Sequence, residues 1–174
     1  MLLRNYLALL LLICFSACSK PASGPVAQSS PSGPTPKATT SINFVSANIE
    51  RVALAAGGSG EATVNVTVQS GYHVNANPAT DPWLKPTEVT AAPGDGLTVG
   101  YVKYPTALSK KFSFSDKPLA VYEGQFPVKV LLKADKKAGK GPRDLAARLN
   151  IQACDDQVCY APGTLELTIP VLVN

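Results

Sequence analysis

Four stretches of the chain alternate apolar and polar residues with a period of two. In ATVNVTVQ, Val64, Val66 and Val68 share one face with polar residues between them, and FPVKVLLKAD repeats the pattern with Phe126, Val128, Val130 and Leu132. Leu145, Ala147, Leu149, Ile151 and Ala153 alternate with Ala146, Arg148, Asn150 and Gln152, and LELTIPV aligns Leu165, Leu167, Ile169 and Val171. Successive strand side chains point to opposite faces, so this period predicts half-buried strands. DLAARLNI is rich in helix formers, but its unbroken alternation argues for strand. Shorter candidates are Tyr72–Asn75, Thr87–Ala91, Leu97–Tyr104 and Leu119–Tyr122, with GG, SG, PGDG, SDKP and GKGP as turns between them. About eight short strands without an amphipathic helix predict an all-β fold, an antiparallel sandwich. Pro170 inside the last strand predicts an edge or a bulge at that position.

The N-terminal residues follow a different pattern. Arg4 precedes an apolar run, YLALLLLICF from Tyr6 to Phe15. A membrane-spanning helix needs about 20 such residues, so the run reads as the core of a signal peptide. It closes on Phe15-Ser16-Ala17-Cys18, which resembles the lipobox of bacterial lipoproteins, with Phe15 where Leu is usual. That resemblance implies cleavage before Cys18 and acylation of its thiol, and Ser19 after it implies the outer membrane. Residues 19–41, SKPASGPVAQSSPSGPTPKATTS, hold nothing able to form a core and read as a disordered Pro/Ser-rich tether. The expected organisation is signal peptide 1–18, tether 19–41 and one folded domain 42–174, lying in the periplasm on its lipid anchor. The chain carries a formal charge of +4, but Arg4, Lys20 and Lys37 lie outside the domain. The near-neutral domain gives no basis for nucleic-acid binding. KKAGKGPR, the basic cluster at 136–143, reads as a solvated loop.

Cysteine usage narrows the chemistry. Of four cysteines, Cys14 leaves with the signal and Cys18 is taken by lipid, which leaves Cys154 and Cys159 in an oxidising compartment. They lie in QACDDQVCYAP, where a short turn can bring their Cα atoms within the roughly 4.4–6.8 Å that a disulfide needs. A structural staple is one reading, although so short a loop adds only about 2 kcal/mol and a domain of this length does not depend on it. A metal site needs three or four ligands, and His73 is the only histidine. No metal and no other cofactor is therefore expected. The third reading is a pair that is reversibly oxidised and reduced. Asp155 and Asp156 adjoin Cys154, and the loop holds no Lys, Arg, His or helix N-terminus to favour a thiolate. His73 reads as a packed or hydrogen-bonded strand residue, Trp83 as a small-core or loop anchor, and Tyr122-Glu123-Gly124 as a turn.

The motif QACDDQVCYAP, preceded by GYHVNAN and by YPTALSKKFSFSDKPLAVYEG, resembles the N-terminal periplasmic domain of the transmembrane reductase DsbD over essentially all of residues 42–174. The resemblance implies an immunoglobulin-like sandwich whose cysteines relay electrons to or from thioredoxin-like periplasmic oxidoreductases. By position, Cys159 matches the cysteine that forms the mixed disulfide with a partner, and Cys154 the one that resolves it. An aromatic cap falls near Lys111–Lys117, with Phe112 or Phe114 as its lid, and Tyr160 adjoins the cap or the partner interface. Three departures stand out: KKFSFSD lacks acidic residues beside the aromatic, Ala161 stands where Pro is common, and the cysteine spacing is one residue shorter. With no membrane-embedded channel or thioredoxin-like domain in the sequence, the expectation is a monomeric, lipid-anchored relay. The alternative is a non-catalytic, lipid-anchored binding module with a structural disulfide.

Overall fold

The computed structural model describes residues 40–174, so the signal segment, Cys18 and nearly all of the tether lie outside the described residues. After a 3-10 turn, Ser41–Asn43, come twelve strands. They are β1 (Val45–Ile49), β2 (Val52–Leu54), β3 (Ser59–Val68), β4 (His73–Asn75), β5 (Glu88–Ala91) and β6 (Leu97–Lys103). The second half holds β7 (Leu108–Lys110), β8 (Leu119–Tyr122), β9 (Gln125–Ala134), β10 (Gly141–Ile151), β11 (Ala153–Cys154) and β12 (Gly163–Val173). The four alternating stretches became the four longest strands. DLAARLNI lies within β10, because the alternation buries Leu145, Ala147, Leu149 and Ile151 while Arg148 stays in water.

Three sheets form, in the orders β1-β3-β9-β6, β2-β12-β10-β5 and β11-β4-β8-β7. All ladders are antiparallel except β2 on β12. The first two sheets share one core. Val64, Val66, Val128 and Val130 of the first meet Leu145, Leu149, Ile169 and Val171 of the second. Each fully buried aliphatic side chain contributes about 1.5–3 kcal/mol, so this shared face holds the layers together. The result is an all-β, immunoglobulin-like sandwich of two antiparallel layers. The third sheet carries a smaller cluster of Leu84, Phe112, Leu119 and Val121.

Pro170 sits where the β2 flank of β12 is still open, since that pairing begins only at Val171. A missing N–H therefore costs no ladder bond on that flank. Gly163 opens β12 beneath the N-terminal turn, and a Cβ there would lie 2.6 Å from Ile42 Cγ2. Only glycine lets the turn pack this close. Trp83 departs from its expected role as an anchor: it is 63 % exposed.

Candidate functional site

The cysteine motif folds as a hairpin. β11 carries Cys154 into the turn Asp155–Val158, and Cys159 returns directly opposite Cys154. The Asp155 N–H donates to the Val158 carbonyl and the Tyr160 N–H to the Ala153 carbonyl, both at 2.9 Å. These bonds bracket the cysteines and make them a non-hydrogen-bonded pair, the position at which antiparallel strands come closest, with Cα atoms about 4.5 Å apart. Here they are 3.9 Å apart, below the range expected from the sequence, and the sulfurs are joined as a disulfide.

Asp155 builds the turn. Its Oδ1 accepts the N–H groups of Gln157 and Val158, both at 2.8 Å, and its Oδ2 accepts the Tyr160 hydroxyl at 2.7 Å. The Tyr160 bond, then the two backbone bonds, lower the Asp155 pKa, because all three favour the charged carboxylate. The same carboxylate pushes the Tyr160 phenol up to about 12. The Tyr160 ring packs against Phe44, 4.7 Å between centroids, and Phe44 stacks on Tyr72 at 3.9 Å.

Two further groups clamp the hairpin base. The buried Ser41 hydroxyl donates to the Ala161 carbonyl at 2.7 Å and accepts the Ala153 N–H at 2.9 Å. It thus joins the two arms from outside the hairpin. Gln152 Oε1 accepts from Lys85 N–H and from Asn75 Nδ2, at 3.0 and 3.2 Å.

The two cysteines are buried unequally. Cys154 is wholly buried, whereas Cys159 is partly exposed beside Val158, which is 53 % exposed at the tip. Strand pairing brings a third residue to the pair: β4 lies on β11 with His73 directly opposite Cys154. Sequence spacing did not reveal this neighbour, 81 positions away, because only the β4–β11 register places it there. His73 is packed in a strand as expected, but its Nε2 is buried with no hydrogen-bond partner. Burial, which penalises the cation, lowers its pKa.

Phe112 covers His73, with ring centroids 4.1 Å apart and planes 17° from parallel, and Phe114 stacks on Phe112 at 5.4 Å. Phe112 is buried and Phe114 half-buried. Between them, the Ser113 hydroxyl donates to the Asp156 carbonyl at 3.0 Å and ties this segment to the cysteine turn. Cys154, Cys159, Phe112, Phe114 and Tyr160 therefore gather at one end of the sandwich with His73. Among the described residues, no three His, Cys, Asp or Glu stand together as a metal ligand set. No described helix is long and apolar enough to cross a membrane.

Residues 43–170 match the family model described as thiol:disulfide interchange protein DsbD, N-terminal. Among solved structures, the chain is similar to the reduced DsbD N-terminal domain of Neisseria meningitidis, at 21 % identity and a TM-score of 0.43, over 72 % of this chain and 83 % of that one. It is also similar to the N-terminal periplasmic domain of ScsB from Proteus mirabilis, at 11 % identity and a TM-score of 0.47, over 72 % of this chain and 44 % of that one. No curated protein sequence matches.

Proposed function

The chain belongs to the family of the N-terminal domain of the thiol:disulfide interchange protein DsbD, and from that premise we propose that it passes reducing equivalents between periplasmic proteins by thiol-disulfide exchange. The observation that carries this reading is the unequal presentation of the cysteines. Cys159, partly exposed beside the exposed Val158, is the sulfur a partner's thiolate can reach; Cys154, wholly buried, is held opposite it to close or open the disulfide. A permanent staple has no need of such asymmetry. The partners are thioredoxin-like oxidoreductases, whose own activated cysteines supply the thiolate that this hairpin does not favour. The segment carrying Phe112 and Phe114 acts as a cap, and docking displaces it.

Around this core stand the remaining parts of the proposal. Acylation at Cys18 anchors a monomer to the cell envelope, at the outer membrane, and the Pro/Ser-rich tether lets the domain search the periplasm for partners. The relay itself uses no metal and no organic cofactor, since sulfur alone carries the electrons.

The reduction potential tests the reading. Equilibrated in glutathione buffers, an exchanging Cys154–Cys159 pair is expected to lie well above about −300 mV. A value below that limit would identify a structural disulfide in a non-catalytic binding module.

A further inference from the structure

We propose that His73 is the proton acceptor for Cys154 in the step that closes the disulfide. The inference rests on the exchange reading above and adds to it a group that the cysteine loop does not contain. Directly opposed residues of an antiparallel pair project to the same face, with Cβ atoms about 4.5–5.5 Å apart. His73 and Cys154 are such a pair, and both are buried. In the oxidised protein, the imidazole Nε2 has no partner. A buried polar atom left unpaired in one state invites a partner in another, and reduction creates a donor on the residue directly opposite, the Cys154 S–H.

The surroundings favour this role. Phe112 holds the ring flat against its own face, and burial lowers the imidazole pKa, which favours the neutral ring that can take a proton. The charged groups facing it are Glu123 after β8, Lys110 on β7, and Asp156 and Asp155 in the cysteine turn. Lys110 and Glu123 pair with each other at 2.6 Å, which largely cancels them and leaves the two aspartates. Their charge disfavours a Cys154 thiolate and favours a transient imidazolium, so the proton is driven from sulfur to nitrogen. His73 also lines a cleft of about 580 Å³ bordered by Lys110, Glu123 and Asp156. A water molecule occupies about 30 Å³, so the cleft gives the proton a route to solvent.

In the mixed disulfide, Cys159 Sγ is bonded to the partner's sulfur and Cys154 carries its proton. Cys154 Sγ gives its electron pair to Cys159 Sγ as its proton passes to His73 Nε2. The Cys159–partner bond breaks, and the partner's sulfur leaves as a thiolate with that electron pair. The imidazolium then returns the proton to the leaving thiolate or to water. Run in reverse, the imidazolium protonates Cys154 as a partner thiolate attacks Cys159.

The test uses the reduced full chain and the aromatic disulfide 5,5′-dithiobis(2-nitrobenzoate). One chromophore is released when Cys159 attacks the probe, and a second when Cys154 displaces the probe from Cys159. In His73→Phe, which keeps a ring under Phe112, the second phase at pH 7 is expected to slow about 100-fold while the first is unchanged. The gap between the two proteins should narrow as pH rises far enough for Cys154 to ionise unaided. Equal second phases at pH 7 would overturn the proposal, whereas a wild-type protein that releases the first chromophore and never the second, leaving Cys154 unable to close the disulfide, would overturn the exchange reading instead. His73→Gln, a polar replacement that does not titrate near neutrality, should show the same slowing. Because the chain has one histidine, its nitrogen signals need no assignment. The Nε2 shift should move on reduction, and an unmoved shift would contradict the pairing.

Discussion

At the residue scale, two ionisable groups give this site its pH behaviour. His73 is pushed below its ordinary value by burial, so between its folded pKa and about 6.5 the folded protein binds fewer protons than the unfolded chain. Its contribution is complete above about pH 6.5 and is lost as pH falls below it. Urea midpoints measured from pH 8 to pH 5 should therefore drop for the wild type, and the drop should shrink in His73→Phe. Asp155 is also lowered, by Tyr160 first, so its contribution persists to lower pH and disappears only as the medium passes below the ordinary carboxylate range. The same bond makes a separate prediction. Removing the carboxylate in Asp155→Ala should bring the Tyr160 phenol down from about 12 toward about 10, read by ultraviolet titration at alkaline pH. An unchanged titration would mean that the Asp155–Tyr160 bond does not hold the turn.

At the element scale, the hairpin and the segment over it are separable devices. Reducing Cys154–Cys159 opens a loop of only a few residues, so stability should fall by about 2 kcal/mol and the sandwich should stay folded. Circular dichroism showing unfolding on reduction at ambient temperature would instead make the disulfide a staple. Ser113 holds the Phe112–Phe114 segment to Asp156 through one exposed hydrogen bond, worth about 0.5–1.5 kcal/mol. Ser113→Ala should raise the alkylation rate of reduced Cys159 by up to about tenfold, and no change would detach this segment from access to the thiol. Strands that alternate over several residues were legible in the sequence because each buries a continuous face: β3, β9, β10 and β12 are all of this kind. β7 was not, since Leu108, Ser109 and Lys110 are all exposed and leave no pattern. β1 and β2 also escaped notice, the second because three residues are too few to show a period. The cysteine pair was equally plain from its spacing. The place of His73 beside it was not, because a register between strands far apart in sequence leaves no mark on local pattern.

At the scale of the whole molecule, the cysteine pair sits at one end of the sandwich, backed by its large core. The aliphatic core of the two main sheets also takes in Val74 of β4, Tyr122 of β8 and Ala153 of β11, while the hairpin, the segment bearing Phe112 and strand β4 gather at the third sheet. The proposed anchor is tested at the same scale: Cys18→Ser should release the protein from membrane fractions or block its maturation, and unchanged fractionation with retained lipid label would exclude acylation there. Cys159 is proposed to exchange disulfides with thioredoxin-like partners while Cys154 resolves them. The most direct measurement mixes reduced Cys154→Ser with an oxidised thioredoxin-like periplasmic oxidoreductase and looks for a covalent complex. A complex that dithiothreitol dissolves, mapped by mass spectrometry to Cys159 and absent with Cys159→Ser, is the predicted result. No complex with either variant, or one formed through Cys154, would contradict the account.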